Sequence, residues 1–174
     1  MTIQSRRDIE EVYATDFAEW DKNVELATTN LEKITRKGVG FEVAISCLPP
    51  QDAIDLNLFA LLTASSSGSL ISYYLSEYGF MSEVFVTHLR LFGISEVLPD
   101  ILNEISCMFP TSRPSVHLAT RERQALSIIN SQIADPLTGL DRIDELTNAF
   151  YNTERNIFKK CIDFRVAQSK IIHE

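Results

Sequence analysis

Apolar residues recur every three or four positions along most of this chain, which is the pattern of amphipathic α-helices. In the first segment, Asp8 to Lys37, this spacing predicts one long helix, or two helices with a break between them. The apolar seam of the segment consists of Ile9, Tyr13, Phe17, Trp20, Val24, Ala27, Leu31 and Ile34. Gly38 follows a basic last turn and marks the C-terminal stop. The apolar run 41–48 is compatible with a strand or with an extended crossing.

The stretch "SSSGS" (residues 65–69) separates two segments with helical spacing. A preceding helix is predicted from Pro50 through residue 64, because proline fits a first helical turn. Five residues are a normal helix–helix connection and too few for a domain linker. Gly68 supplies the conformational freedom of a corner, and Ser67 or Ser69 is expected to cap the next helix. A catalytic serine here would need a base held nearby, and no local motif supplies one.

Downstream, the pattern predicts four further helices and a resumed helical spacing after the corner. The helix that begins at Ser82 is stopped by Gly93, and the one introduced by Ser95 has Pro99 early enough for its start to lie further along. The predicted segments are 70–79, 82–92, 95–108, 121–133 and 141–172, with a turn at 135–141. We therefore expect a mostly α-helical fold, a single compact domain of about seven or eight helices. Its parts would be an N-terminal amphipathic region (1–40), a central core (41–133) and a C-terminal helix (141–172).

Composition adds little chemistry to this picture. The three cysteines, Cys47, Cys107 and Cys161, are far apart and form no CxxC pair, so neither a disulfide framework nor a zinc site is expected. The polar N-terminus resembles no signal peptide, and no apolar run is long enough to cross a bilayer. These features predict a cytoplasmic protein without a metal or cofactor.

The negative charge is concentrated in the middle of the chain. The whole sequence carries a formal net charge of −8. Residues 38–112 account for −7, because eight acidic side chains stand there against Arg90 alone. The eight are Glu42, Asp52, Asp55, Glu77, Glu83, Glu96, Asp100 and Glu104. Such a surface is unfavourable for nucleic acid and favourable for a basic partner.

Three of these acids are spaced as one row on a helix. On a helix starting near Ser95, Glu96, Asp100 and Glu104 follow at i, i+4 and i+8, about 6 Å apart, on the edge opposite the apolar face. No lysine or arginine lies within reach along that helix, and like charges at this spacing are destabilising. A solvated acidic face is the structural interpretation of the row. The functional interpretation is a surface that a basic protein reads in place of the phosphates of DNA.

Motifs of catalysis are missing from the sequence. It contains no G-x-S-x-G, P-loop, G-x-G-x-x-G or H-E-x-x-H. His88 is expected to be partly buried, and His173 stands at the chain end. The aromatic pair Tyr73–Tyr74 lacks the surrounding basic residues that nucleic-acid stacking platforms carry. We therefore predict a protein that is not an enzyme.

The stretch from about Leu48 to Leu126 resembles the bacterial DNA-mimic protein family of the 19-kDa type, formerly a domain of unknown function. In "FALLTASSSGSLISYYLSEYG", Gly68 takes the first glycine position of the family pattern and Tyr73–Tyr74 its aromatic pair. "HLRLFGIS" (88–95) and "ILNEISCMFP" (101–110) are similar to the family's turn and its helix with a following Phe-Pro. Four positions depart from the pattern: its asparagine is missing before Gly68, and Ser69, Leu70 and Ser72 stand in place of glycine, phenylalanine and glutamine. The chain would be a divergent member.

The resemblance implies a helical homodimer that binds a DNA-binding protein, such as a helix-turn-helix transcription regulator, in place of DNA. We expect Glu96, Asp100 and Glu104 to make that contact. Supporting charges would come from Asp52, Asp55, Glu77 and Glu83. One alternative is an immunity or adaptor protein that blocks a toxin or enzyme by shape, through apolar anchors. A second is an enzyme with an unrecognised site around His88 or His117.

Overall fold

A computed structural model describes residues 3–66, 68–133, 141–153 and 156–171. These residues form eight α-helices and two 3₁₀ helices, and no strand is found among them. The predicted mostly α-helical fold is confirmed. The helices are α1 (Ile3–Thr35), α2 (Phe41–Ser46), α3 (Pro50–Ser66), α4 (Ser82–Leu91), α5 (Leu98–Cys107), α6 (Leu118–Ser131), α7 (Arg142–Thr153) and α8 (Ile157–Ile171). The 3₁₀ helices span Leu70–Leu75 and Glu77–Met81.

The chain folds into two compact units. Unit 1 comprises Met1–Leu56 with Arg155–Glu174, and unit 2 comprises Asn57–Glu154. The division of the sequence into parts 1–40, 41–133 and 141–172 of one domain stays a prediction. No helix within the described ranges is both long enough and apolar enough to cross a membrane.

Unit 1 is built on the long helix α1, which packs against α8 and α2. Trp20, Val24, Ala27 and Leu31 are buried, as their helical spacing predicts. The indole of Trp20 stacks on Phe158 of α8 with ring centroids 4.8 Å apart. Phe17, placed in the same seam, is 40% exposed, while the side chains of Ile9 and Tyr13 lie outside the described residues.

Helix α2 corrects the interpretation of residues 41–48 as a strand or extended crossing. The segment "FEVAIS" is helical, and the amide of Ala44 donates to the carbonyl of Gly40 at 2.9 Å. Ala44 and Ile45 are buried together, while Glu42 and Val43 before them are exposed. Two exposed residues followed by two adjacent buried ones fit a helix and not a strand, whose successive side chains alternate between faces.

Unit 2 places its core between the two 3₁₀ helices and α4 to α7. The buried apolar set includes Leu70, Tyr73, Tyr74, Phe85, Leu89, Leu102, Ile105, Phe109, Ala125, Ile128, Ile143, Leu146 and Phe150. Helix α4 ends as predicted at Gly93, in a Schellman motif. The amide of Gly93 donates to the carbonyl of Arg90, and that of Ile94 donates to the carbonyl of Leu89 at 2.9 Å. Gly93 has φ +64°, a conformation that glycine adopts without strain.

The buried Arg121 of α6 organises the segment after the serine-rich corner. Its guanidinium donates to the carbonyl of Tyr74 at 2.9 Å and to that of Ser76 at 2.8 Å. A Cβ on Gly79 would lie 2.7 Å from the Cα of Tyr74 and 2.9 Å from Nε of Arg121, so only glycine fits there. The segment forms two short 3₁₀ helices instead of continuing as one regular helix.

The final predicted helix, 141–172, is two helices, α7 and α8. The apolar positions of both fall on one continuous stripe, for example Phe150 and Ile157 seven residues apart. Sequence periodicity therefore cannot detect the interruption. The helices belong to different compact units, and the chain passes from unit 2 to unit 1 between them. The predicted turn 135–141 falls on residues outside the described part, except Asp141.

Candidate functional site

The predicted acidic row does not lie on one helix. Helix α5 begins at Leu98, with Pro99 in its first turn, so Glu96 lies in the loop before the helix. Ser95 fixes this start, because its Oγ accepts the amide of Leu98 at 2.9 Å. Only Asp100 and Glu104 remain on α5. The proposed three-residue helical row is therefore wrong, because α5 starts two residues after Glu96.

Arginines from other parts of unit 2 hold both acids that remain on the helix. Arg90 Nη2 donates to Asp100 Oδ1 at 2.6 Å. Arg142 forms a two-pronged pair with Glu104, through Nε at 2.6 Å and Nη2 at 3.0 Å. Its Nη1 also donates to Glu145 at 2.8 Å. The hydrogen bonds that Arg142 donates to Glu104, and then to Glu145, raise the pKa of Arg142 above its usual range. The row is thus partly neutralised by residues that are distant in the sequence.

The other predicted surface acids of unit 2 differ in their surroundings. Glu83 accepts from Arg113 Nε at 2.9 Å, and both side chains are more than half exposed. Glu77 and Glu96 are exposed and make no ion pair within the residues that the structure describes. Exposed pairs are worth little in stability, so these contacts shape the surface charge more than they hold the fold.

The prediction that Asp52 and Asp55 belong to the partner-binding surface is wrong. Both are 1% exposed, inside unit 1. Arg165 Nη2 donates to Asp52 Oδ1 at 2.7 Å and to Asp55 Oδ2 at 2.5 Å. A carboxylate that is buried and hydrogen-bonded within its own protein cannot reach a partner, so these two residues leave the candidate site.

What remains exposed at the start of α5 is an apolar surface with acids around it. Leu91, at the end of α4, is 71% exposed, and Val84 on the same helix is 42% exposed. Val97, next to Glu96 in the sequence, is 39% exposed. The Arg90–Asp100 pair joins the end of α4, where Leu91 lies, to the first turn of α5, which Glu96 and Val97 precede. We call Val84, Leu91, Glu96, Val97 and the Arg90–Asp100 pair the α4–α5 corner.

Sequence reasoning missed the apolar part of this corner. Leu91 follows the buried apolar residues of α4 in the sequence. No neighbouring residue in the sequence indicates that its side chain is exposed. The available signal is its position at i+7 from Val84, a spacing that places both on one stripe. Without the neighbouring helices, that stripe cannot be told apart from a core stripe.

The serine-rich corner makes structural contacts. Ser65 Oγ donates to the carbonyl of Leu62 at 3.1 Å and accepts from the hydroxyl of Tyr151 at 2.7 Å. Ser66 Oγ donates to the carbonyl of Thr63 at 2.8 Å. Ser69 precedes the first 3₁₀ helix but makes no side-chain cap, contrary to expectation, and Ser67 lies outside the described residues.

Neither His88 nor His117 makes a side-chain hydrogen bond or ion pair with another residue that the structure describes. His88 is partly buried, and its ring lies 5.8 Å from that of Phe92; burial lowers the pKa of its imidazole. His117 precedes α6 without a side-chain cap bond, and His173 lies outside the described residues. Tyr73 and Tyr74 are fully buried, and their hydroxyls donate to Asn57 and to the carbonyl of Leu102. In the described ranges no cluster of His, Cys, Asp or Glu is suited to a metal ion.

Comparison with protein-family models, with curated proteins and with solved structures gives no match to this chain. The resemblance to the DNA-mimic family stays a prediction, resting on the residues quoted for it. In the structure, "HLRLFGIS" forms the end of α4 with its glycine turn, and "ILNEISCMFP" covers α5 and the residues that follow it.

Proposed function

We propose that this protein acts by binding another protein through the α4–α5 corner, as an adaptor or immunity protein does, and not by catalysis. The observation that carries the proposal is the 71% exposure of Leu91 at the end of α4, with Val84 of the same helix and Val97 before α5 also exposed. Apolar side chains grouped at one corner act as anchors, because partner binding removes them from water. Exposed apolar groups with a polar rim are typical of protein interaction sites.

The charge around the corner supports a partner with a basic surface. Residues 57–154 contain eleven acidic and five basic side chains, a net charge of −6. Glu96 is exposed beside Val97, while Asp100 is held by Arg90. Complementary charge speeds association and excludes acidic partners, whereas the apolar anchors set the lifetime of the complex. We expect a partner with apolar side chains among lysines or arginines.

A DNA mimic is the second candidate function, and the net charge of −6 in residues 57–154 favours it. It ranks second because Arg90 and Arg142 stand next to Asp100 and Glu104. A helix-turn-helix regulator that approached these carboxylates would also meet two guanidinium groups. The charge available for competition with DNA would then come chiefly from Glu77 and Glu96.

Substitutions at the corner separate the two candidates. Wild type and variants serve as baits in the source cell, and the captured proteins are then purified for titration. For an adaptor, Leu91→Glu weakens binding at least tenfold by shortening the lifetime of the complex, while Glu96→Lys with Asp100→Lys and Glu104→Lys weakens it less and chiefly by slowing association. For a DNA mimic the order reverses, affinity falls steeply with salt, and a DNA duplex competes.

Leu26→Glu provides the matched control, because Leu26 of α1 is an exposed leucine in unit 1. It should leave binding unchanged. If Leu91→Glu, the triple lysine variant and Leu26→Glu all bind as wild type does, the corner is not the interaction site. Sedimentation velocity of the purified protein tests the expected homodimer.

We also propose a reducing, cytoplasmic location, supported by three free thiols, two of them exposed.

A further inference from the structure

The buried carboxylates of α3 form a closed hydrogen-bonded cluster within unit 1. Asp52 and Asp55 are three residues apart, so both project from one face of the helix. Asp55 Oδ1 accepts from Trp20 Nε1 of α1, and Asp52 Oδ2 accepts from Asn30 Nδ2, each at 2.8 Å. Their other oxygens accept from Arg165 of α8. All four carboxylate oxygens therefore have a donor.

The cluster contains two carboxylates and only one cation, the guanidinium of Arg165. Among the described residues, Asp55 is faced by the cation Arg165 from α8, by the anion Asp52 from its own helix, and by the neutral indole of Trp20 from α1. With both carboxylates ionised, the site carries a net charge of −1. The side chain of Arg165 is only 13% exposed, so little water reaches the cluster to offset that charge. A buried, uncompensated charge is costly, and protonation is the usual way to remove it.

Burial and pairing act on Asp55 in opposite directions. Burial, the largest influence, favours the neutral acid, while the hydrogen bond and charge of Arg165 favour the carboxylate. The balance raises the pKa of Asp55 to about 6. Stacking of Trp20 on Phe158 adds apolar surface next to the Asp55–indole bond and strengthens the effect of burial.

We propose that Asp52, Asp55 and Arg165 form a proton-responsive latch, in which Asp55 takes up one proton from mildly acidic solvent and α8 is then held more firmly. Protonation leaves the guanidinium paired one-to-one with Asp52. Among the described side chains of α8 beyond Arg165, Val166, Ala167, Ser169 and Lys170 are exposed and only Gln168 is half-buried. The C-terminal part of the helix is the segment that should respond.

The chain's single tryptophan reports on the latch directly, because its indole N–H is bonded to Asp55. The experiment is an NMR titration of the ¹⁵N-labelled full chain from pH 4.5 to 8. The indole cross-peak of the wild type should shift with a midpoint near 6, moving to higher field on acidification. Protonation removes the charge that strengthens its hydrogen bond. In Asp55→Asn the peak should stay constant.

Two further variants sharpen the assignment. Asp52→Asn removes the competing anion and should move the midpoint to lower pH, since one carboxylate then has the guanidinium to itself. Asp163→Asn changes an exposed acid of the same helix α8 and should leave the midpoint in place. If the wild-type peak does not move between pH 5 and 7, or if its movement persists in Asp55→Asn, the latch is refuted.

Hydrogen exchange tests the mechanical part of the proposal. After correction for intrinsic rates, protection of the α8 amides should rise up to tenfold per unit of pH decrease between about pH 6 and 5 in the wild type. Asp55→Asn should show no such trend. Should that variant fail to fold, the carboxyl ¹³C shift of Asp55 in the wild type decides alone. A midpoint below about 5 would contradict the proposal.

Discussion

Arg165 of unit 1 and Arg142 of unit 2 each bind two carboxylates, yet the two arrangements differ in almost every physical respect. Arg165 joins Asp52 and Asp55 in the interior, where the acids are 1% exposed. Arg142 joins Glu104 and Glu145 at the surface, where all three side chains are at least 40% exposed. An arginine bound to two carboxylates therefore stabilises the interior of one unit and partly neutralises the surface charge of the other.

These two ion pairs contain the same chemical groups, so the difference in their contribution to stability comes from burial. A buried pair whose partner is removed leaves an unsolvated charge, and the loss is strongly destabilising. An exposed pair whose partner is removed is solvated by water at little cost. Four substitutions test this difference, from the largest expected effect to the smallest.

Arg165→Met should lower the free energy of unfolding by about 3–5 kcal/mol, because it leaves Asp52 and Asp55 buried without a cation. Urea denaturation followed by Trp20 fluorescence measures the change. Lys159→Met on the same helix removes an exposed cation paired with Asp163 and serves as the control, with an unchanged midpoint. Equal midpoints for the two variants would mean that burial does not distinguish these cations.

Arg121→Met should destabilise unit 2 by about 3 kcal/mol, because it removes the donors of one buried carbonyl and of three partly buried ones. The wild-type guanidinium donates to the carbonyls of Tyr74, Ser76, Ser115 and Val116. The change is measured by thermal denaturation and by loss of amide protection in the two 3₁₀ helices. Arg123→Met, an exposed arginine half a turn away, is the control. Protection that survives in Arg121→Met would show that these carbonyls are satisfied in another way.

Asp55 should make unit 1 more stable in mild acid than at neutral pH. Its pKa is about 6 in the folded chain, against an ordinary value of 3.8. Because the folded state holds the proton more tightly, this stabilisation is complete below about pH 4 and is lost as the pH rises through 6. The stability of wild type minus that of Asp55→Asn should fall by about 1.4 kcal/mol per pH unit within that window.

Above about pH 7 that difference should be constant, because Asp55 is then ionised in both states. Denaturation curves of both proteins at half-unit steps from pH 4.5 to 8 measure it, and other acids cancel between them. A difference that is flat across the whole range, or that increases with pH, would contradict the assignment.

Arg142→Gln should change stability by at most about 1 kcal/mol, because its pairs with Glu104 and Glu145 are exposed. It also frees two carboxylates, so binding of a basic partner should become tighter at low salt and more sensitive to salt. Titrations at two ionic strengths measure this effect. A loss of several kcal/mol in stability would place Arg142 in the same class as Arg165.

Sequence patterning predicted the positions of several helices, but it did not show which other segments surround each helix. The 3.6-residue spacing gave α1, α3 and α4 close to their observed positions, and Gly93 marked a real stop. It failed where a local pattern fits two structures. The run 41–48 is short and apolar, and the stripe through Phe150 and Ile157 continues smoothly across the interruption between α7 and α8.

The sequence by itself determined that this protein is helical, that its central third is acidic, and that it lacks the common catalytic motifs. Tertiary structure alone decided which acids face water. Asp55 meets Arg165 across 110 positions, and Glu104 meets Arg142 across 38. Local spacing reports only neighbours within a turn or two of a helix. Burial and charge pairing arise from contacts between segments that folding brings together.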